Sequence, residues 1–179
     1  MVSKKYLKDY RLEEQIDSSG RIKTKAIYIG EYYDIVPDYS ISEKRMLFCL
    51  SMLAGLSFIG ALIPVSQATR VIYVSLPFIF SALPLFIMIS TLVSFIVIKD
   101  PMKREQAERI SNRLPAGAFI SMILSTAAFA GQIITALVSW DSFPAGDAIF
   151  AILSFTVGAI SAIIFIKCRN MKIINSRIA

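Results

Sequence analysis

Long apolar runs alternate with short polar segments along the chain, and this pattern predicts four membrane-spanning helices. The runs cover residues 46–65, 71–98, 114–140 and 144–166. Each approaches or exceeds the roughly 20 residues that a helix needs to cross about 30 Å of hydrocarbon. A helix at a water interface carries polar residues on one face, whereas these runs are apolar on every side. We therefore predict an all-α integral membrane protein built as an antiparallel four-transmembrane-helix bundle.

The positions of Lys and Arg predict how these helices are oriented. All 19 basic residues except Arg70 lie before the first run, between the second and third runs, or after the fourth. Basic residues near the ends of spans collect on the cytoplasmic side of a membrane. We therefore expect an N-terminal segment (1–45), a loop (99–113) and a tail (167–179) on the cytoplasmic side of a cell membrane, with residues 46–166 as the transmembrane domain.

The N-terminal segment fits two local structures, and the pattern leaves both open. Residues 17–20, Asp-Ser-Ser-Gly, are typical of a turn, and residues 21–29 alternate partly in the manner of a strand. Residues 10–16 are either the partner strand, with Glu14 opposite Lys23, or a helix, because Leu, Glu and Gln favour helices. An isolated hairpin is marginal in water, so it would need another subunit or the membrane surface as a partner.

The loop between the second and third runs is predicted to form a short helix over residues 100–109, with Pro101 in its first turn. The chain is basic, with a formal net charge of +6 and a pI near 9.4. Mixed charges in the loop are typical of a solvated face, and basic residues near anionic lipid gain about 1 kcal/mol each. The lipid bilayer is therefore the predicted partner of these charges, and nucleic acid is not.

The residue types exclude most catalytic chemistry. Histidine is absent, and the two cysteines, Cys49 and Cys168, form no CxxC motif. The apolar runs contain one charged residue, Asp147, which we place at the outer membrane interface. We therefore predict that the chain has no catalytic, cofactor-binding or metal-binding residues. We also predict that it is neither an enzyme nor a proton-coupled exporter. Because the first apolar run starts only at residue 46, we expect no cleaved signal peptide.

Small and polar residues recur along the third run at spacings of three and four, which keeps them on one helix face. They are Gly117, Ser121, Ser125, Ala128, Gln132, Thr135 and Ser139. Helices in lipid associate through such faces. An unsatisfied amide in hydrocarbon costs several kcal/mol, so Gln132 needs a partner there. The candidate packing or solute-contact face comprises Gln132, Ser125, Ser121, Thr135 and Gly131.

Two prolines interrupt the second run. Pro77 and Pro84 lie seven residues apart, on nearly the same face, and each frees a backbone carbonyl. They predict kinks in this helix, which occur both in gated transporters and in inert bundles.

Two functions fit these features. The first is a non-catalytic scaffold or accessory subunit that binds another membrane protein, a second copy of itself or a cytoplasmic partner. The second is a small pore or carrier for a neutral or apolar solute, formed by one chain or an oligomer. A fully packed bundle would favour the first function, and water-filled interior space would favour the second.

The predicted orientation can be tested at the first loop. A topology reporter fused after Arg70 is expected to lie outside the cytoplasm, because the flanking segments carry the positive charge. The readout is the activity of a reporter that works on one side of the membrane. Cytoplasmic activity of this fusion would overturn the predicted topology.

Overall fold

Helices dominate the structure, a computed structural model that describes residues 4–16, 22–63, 70–98, 101–138 and 144–176. The helices are α1 (Ile41–Leu62), α2 (Ile72–Phe80), α3 (Ala82–Val97), α4 (Arg104–Val138) and α5 (Ala145–Cys168). Taken together, α2 and α3 form one of the four stretches in the described residues that are long and apolar enough to span a membrane. The predicted number of such helices is therefore confirmed.

Short strands add two small sheets to the helices. The strands are β1 (Tyr10–Ile16), β2 (Ile22–Tyr28), β3 (Tyr32–Val36), β4 (Met102–Lys103) and β5 (Lys172–Asn175), and a 3₁₀ helix, Lys4–Asp9, precedes β1. Strands β1 and β2 pair with each other, whereas β3 lies between β4 and β5, and every pairing is antiparallel. The three-stranded sheet thus joins segments from the beginning, middle and end of the chain.

The pairing of β1 with β2 differs by one residue from the register expected from the sequence. Ile16 pairs with Ile22, and Glu14 lies opposite Thr24 rather than Lys23. The expected register was wrong because it allowed only the four residues 17–20 between the strands, where the observed pairing requires five. The predicted turn itself lies outside the described residues.

Helix α1 begins at Ile41, before the apolar run that starts at residue 46. Its start is defined by a capping box at Ser40 and Glu43. The Ser40 hydroxyl accepts a hydrogen bond from the Glu43 N–H at 3.2 Å, and the Glu43 carboxylate accepts one from the Ser40 N–H at 2.9 Å. These bonds satisfy backbone donors that have no partner inside the helix.

The second apolar run is divided at Ser81, between its two prolines. The Ser81 N–H donates to the carbonyls of Pro77 and Phe78, and its hydroxyl donates to the Phe78 carbonyl at 2.6 Å. Pro84 has no N–H to continue the helical pattern across this point. The tightened turn therefore separates α2 from α3 while its own polar groups remain satisfied.

The loop before the third run does not form a separate helix. Pro101 precedes β4, and α4 begins at Arg104 and continues without a break for 35 residues to Val138. The predicted short helix with Pro101 in its first turn was therefore wrong. Residues 102–103 pair with β3 instead, and the charged residues that follow belong to the same helix as the apolar run.

The helices form a ring in which each neighbour runs antiparallel to the next. Helix α1 packs against α3 and α5, and α4 packs against α2, α3 and α5. The sheet of β3, β4 and β5 lies where α1 and α4 begin and where α3 and α5 end, and we call this the sheet end of the bundle. The sheet contributes Ile35 and Met102 to the same buried cluster as Leu92 and Ile110 of the helices.

At the other end, a second buried cluster centres on aromatic rings. Phe78 stacks on Phe58 with ring centroids 4.7 Å apart and meets the edge of Phe150 at 4.8 Å. Between the clusters, α3 and α4 approach closely at Gly117, where an added Cβ would lie 3.2 Å from the Pro84 carbonyl oxygen. Large side chains thus fill the space between the helices, and Gly117 permits a close contact between the backbones of α3 and α4.

Candidate functional site

The polar face predicted on the third run packs mainly against α5. Ser121 and Ser161 are fully buried, and their hydroxyl oxygens lie 3.1 Å apart in a hydrogen bond. One helical turn further along α4, Ser125 lies beside Gly158, where an added Cβ would be 3.6 Å from the Ser125 Cβ. Small residues on both helices therefore bring the two backbones close together, as interhelical packing in lipid requires.

Gln132 completes this interface through a backbone partner. Its side chain is 1% exposed, and its Nε2 donates to the carbonyl oxygen of Asp147 at 3.3 Å. Asp147, which the sequence places at the outer interface, lies in the first turn of α5 and is only 3% exposed. One sequence feature could have indicated this burial. Asp147 lies seven residues before Ser154 and eleven before Gly158, so it is on the small-residue face of the fourth run, two turns earlier.

The other two candidate residues belong to a different contact, between α4 and α2. A Cβ at Gly131 would lie 3.1 Å from a methyl group of Val74 and 3.2 Å from the Tyr73 ring. The Thr135 hydroxyl donates to the Gly131 carbonyl at 3.0 Å and lies 3.2 Å from the Tyr73 hydroxyl. The five predicted residues are therefore divided between two helix–helix contacts and do not line one site.

The predicted kink residues also stand apart from each other. Pro84 is buried in the contact between α3 and α4, whereas Pro77 lies within α2 and is partly exposed. The Pro84 carbonyl oxygen would lie 3.2 Å from a Cβ added at Gly117 of α4, fifteen residues before Gln132. The two prolines therefore do not converge on Gln132.

Two buried oxygens on the polar face have no hydrogen-bond partner in the described residues. They are the Ser125 hydroxyl oxygen and the Gln132 Oε1. Both atoms can accept a hydrogen bond, but neither a hydroxyl nor an amide at this position supplies an acid or base near neutral pH. Among the residues that the structure describes, no group of three His, Cys, Asp or Glu side chains converges in a way that could hold a metal ion.

A cleft of about 350 Å³ opens at the sheet end, and nothing in the sequence pattern predicted it. It is lined by residues from β3, the segment that follows it, α1 and α3, namely Asp34, Ile35, Val36, Asp38, Tyr39, Lys44 and Phe95. The Lys44 ammonium lies 4.7 Å from the centre of the Phe95 ring, within cation–π range. Carboxylates and one ammonium thus share a cleft with an aromatic floor.

Tyr39, which lines this cleft, is hydrogen-bonded to the end of α5. Its hydroxyl donates to the Lys167 carbonyl at 2.7 Å, and its ring meets the edge of Phe95. Burial raises the pKa of the Tyr39 hydroxyl to about 12, with smaller contributions from nearby negative charge. Because the hydroxyl stays protonated at physiological pH, it acts here as a structural donor.

Comparison of the chain with protein-family models, with curated proteins and with solved structures found no match. Functional inference therefore depends on the geometry of the chain itself.

The two serines on α4 provide a matched test of the α4–α5 interface. We expect Ser121→Ala to lower the free energy of unfolding by about 0.6 kcal/mol, the average for interhelical hydrogen bonds in a membrane protein. We expect Ser125→Ala to be neutral or stabilising, because it removes a buried hydroxyl that has no partner.

The measurement is reversible unfolding in mixed micelles, with Ser161→Ala completing a double-mutant cycle for the Ser121 hydrogen bond. Equal losses at Ser121 and Ser125, or no coupling between Ser121 and Ser161, would contradict the observed geometry.

Proposed function

We propose that the chain is a multi-pass cell-membrane protein that acts as a non-catalytic scaffold or accessory subunit. The proposed topology has four spans, with both termini and the 99–113 loop in the cytoplasm. Support for insertion comes from the surface of the bundle, where large apolar side chains such as Leu56, Phe86 and Ile152 are more than 60% exposed. Such a belt would be unfavourable in water and is typical of contact with lipid.

The sheet end supports the proposed placement of the termini and the 99–113 loop on one side of the membrane, and the charge pattern supports that side being the cytoplasm. Strands β3, β4 and β5 come from the N-terminal segment, the 99–113 loop and the tail. A sheet can form only when its strands lie on the same side of a membrane, because unpaired strand edges are not tolerated in hydrocarbon. These are the same three segments that hold every basic residue except Arg70.

The packed interior of the bundle is the observation that carries the scaffold function. Phe78, Phe95 and Phe150 are among the largest fully buried side chains. Phe78 and Phe150 belong to the cluster at one end, Phe95 belongs to the cluster at the sheet end, and Met88 and Leu92 are fully buried members of that sheet-end cluster. On α4, Ser121 and Gln132 form hydrogen bonds to α5. A pore or carrier, the alternative from the sequence, needs a path through the bundle, and this packing counts against a path within one chain.

The outward face of the three-stranded sheet offers a surface for a protein partner. Alternation along β3 directs Ile35 inward and Tyr32 and Val36 outward, and Ile174 of β5 lies on the same outward side. These three outward residues, the outer sheet face, are 43%, 40% and 39% exposed. Exposed apolar side chains beyond the lipid belt are typical of an interface with another protein.

This proposal can be tested by site-specific photocrosslinking in native membranes. A photoreactive residue at Val36 is expected to give one adduct of defined mass, either with a membrane or cytoplasmic protein or with a second copy of the chain. The matched control is a photoreactive residue at Ile152 on the lipid belt, which should react mainly with lipid.

A second variant tests whether the contact is specific. Ile174→Glu should lower the adduct yield at Val36 more than tenfold, because burying an isoleucine contributes about 1.5–3 kcal/mol to binding. A solitary, uncrosslinked chain in native membranes would contradict the scaffold function.

A further inference from the structure

A groove on the outside of the bundle, between α3 and α4, is mostly apolar and has one arginine among the residues that line it. Its volume is about 460 Å³, and its lining includes Arg113, Ala116 and Ile120 of α4 and Pro84 and Ile87 of α3. The groove runs from Arg113 to Ile120, which is about 10 Å along the helix at 1.5 Å per residue. Gly117 also lines the groove, and the absence of a side chain there lets the α3 backbone approach, because an added Cβ would lie 3.2 Å from the Pro84 carbonyl oxygen.

Arg113 stands at the boundary between the charged and apolar parts of α4. It is the last charged residue in this helix, because residues 114–138 contain no Asp, Glu, Lys or Arg. The charged first turns of α4 lie at the sheet end. In the proposed topology, the Arg113 guanidinium therefore lies near the phosphate groups of the inner leaflet, and the groove extends from it into the hydrocarbon.

The charge of Arg113 is available, unlike the charges that precede it on the same helix. Arg104 forms an ion pair with Glu108, and Arg109 forms one with Glu105, each with an N–O distance of 2.9 Å. Arg113 forms no ion pair with any residue in the described ranges, and the residue is exposed. The facing helices, residues 72–97, contain no acidic residue that could neutralise it.

We propose that this groove is a binding site for one anionic phospholipid from the inner leaflet. The Arg113 guanidinium binds the lipid phosphate through charge-assisted hydrogen bonds, for which its planar donor geometry is well suited. One acyl chain lies in the groove along Ala116 and Ile120, over Gly117. Basic pockets between transmembrane helices on the cytoplasmic side bind anionic headgroups in this way. The inference depends on the proposed insertion of the four helices in a bilayer.

The test measures which lipids stay with the purified full-length chain. Protein from mixed phosphatidylcholine and phosphatidylglycerol vesicles is extracted in mild detergent, and bound lipid is counted by native mass spectrometry. The wild-type chain should retain one phosphatidylglycerol in preference to phosphatidylcholine. Arg113→Gln should lower this preference about fivefold or more, since one basic group near anionic lipid contributes that much to binding. Arg109→Gln, the matched control, should leave it unchanged.

A second variant tests the apolar part of the groove and keeps the arginine. Ala116→Phe should fill the groove and lower phosphatidylglycerol retention, whereas Ala127→Phe on another exposed part of α4 should not. A water-soluble glycerophosphate added in excess should fail to displace the lipid, because it lacks the acyl chain. Displacement by the soluble compound would show a simple phosphate site and overturn the proposal.

The remaining outcomes are also decisive. Equal phosphatidylglycerol retention by the wild-type chain and Arg113→Gln, or equal losses in Arg113→Gln and Arg109→Gln, would overturn a specific site. Alkaline extraction of membranes in parallel separates this failure from failure of the proposed topology. A wild-type chain that leaves the membrane at high pH would contradict insertion itself, whereas a retained chain without lipid preference would contradict the groove alone.

Discussion

The fold depends on one constraint, namely that three distant segments of the chain form a single sheet. Strand β3 comes before the first long helix, β4 lies between the second and third helical stretches, and β5 follows the last. Their pairing requires that the chain return to the same end of the bundle after every second helical stretch. The sheet covers that end of the bundle and adds Ile35 and Met102 to the buried cluster of the helices.

Small residues on α4 determine how closely the helices pack around it. Gly117 admits α3, Ser121 and Ser125 face α5, and Gly131 admits α2. In lipid, association of helices gains little from the hydrophobic effect and depends on close van der Waals contact and interhelical hydrogen bonds. Gly117 also lines the outer groove next to Arg113, so one residue takes part in both the helix packing and the proposed lipid site.

The sequence was informative wherever a long periodic signal existed. Four apolar runs gave the helical stretches, and spacings of three and four on the third run identified residues that are buried between helices, such as Ser121 and Gln132. The pattern did not divide those residues between two neighbours, because a helix face that is about 100° wide can contact more than one helix. The burial of Asp147 was missed since one acidic residue at a helix start usually lies in water or headgroups.

The three-stranded sheet could not be derived from the sequence. Strand β4 has two residues and β5 has four, which is too short for an alternating pattern to be distinct from a loop. Their pairing with β3 also joins residues that are far apart in sequence, so no local signal reports it. In the same way, the register of β1 and β2 depended on the number of residues in the connection, which local turn preference alone did not determine.

Disulfide formation in native membranes tests most directly whether the three strands share one sheet at one end of the bundle. Asp34 and Ile174 lie directly opposite each other in β3 and β5, where Cα separations of about 4.5–5.5 Å permit a disulfide. In a chain with Cys49 and Cys168 replaced by Ala, the pair Asp34→Cys and Ile174→Cys should crosslink rapidly within one molecule. The pair Asp34→Cys and Ile173→Cys should not, because those side chains lie on opposite faces of the sheet. Failure of the first pair, or equal crosslinking of both pairs, would contradict the sheet and the shared side of the three segments.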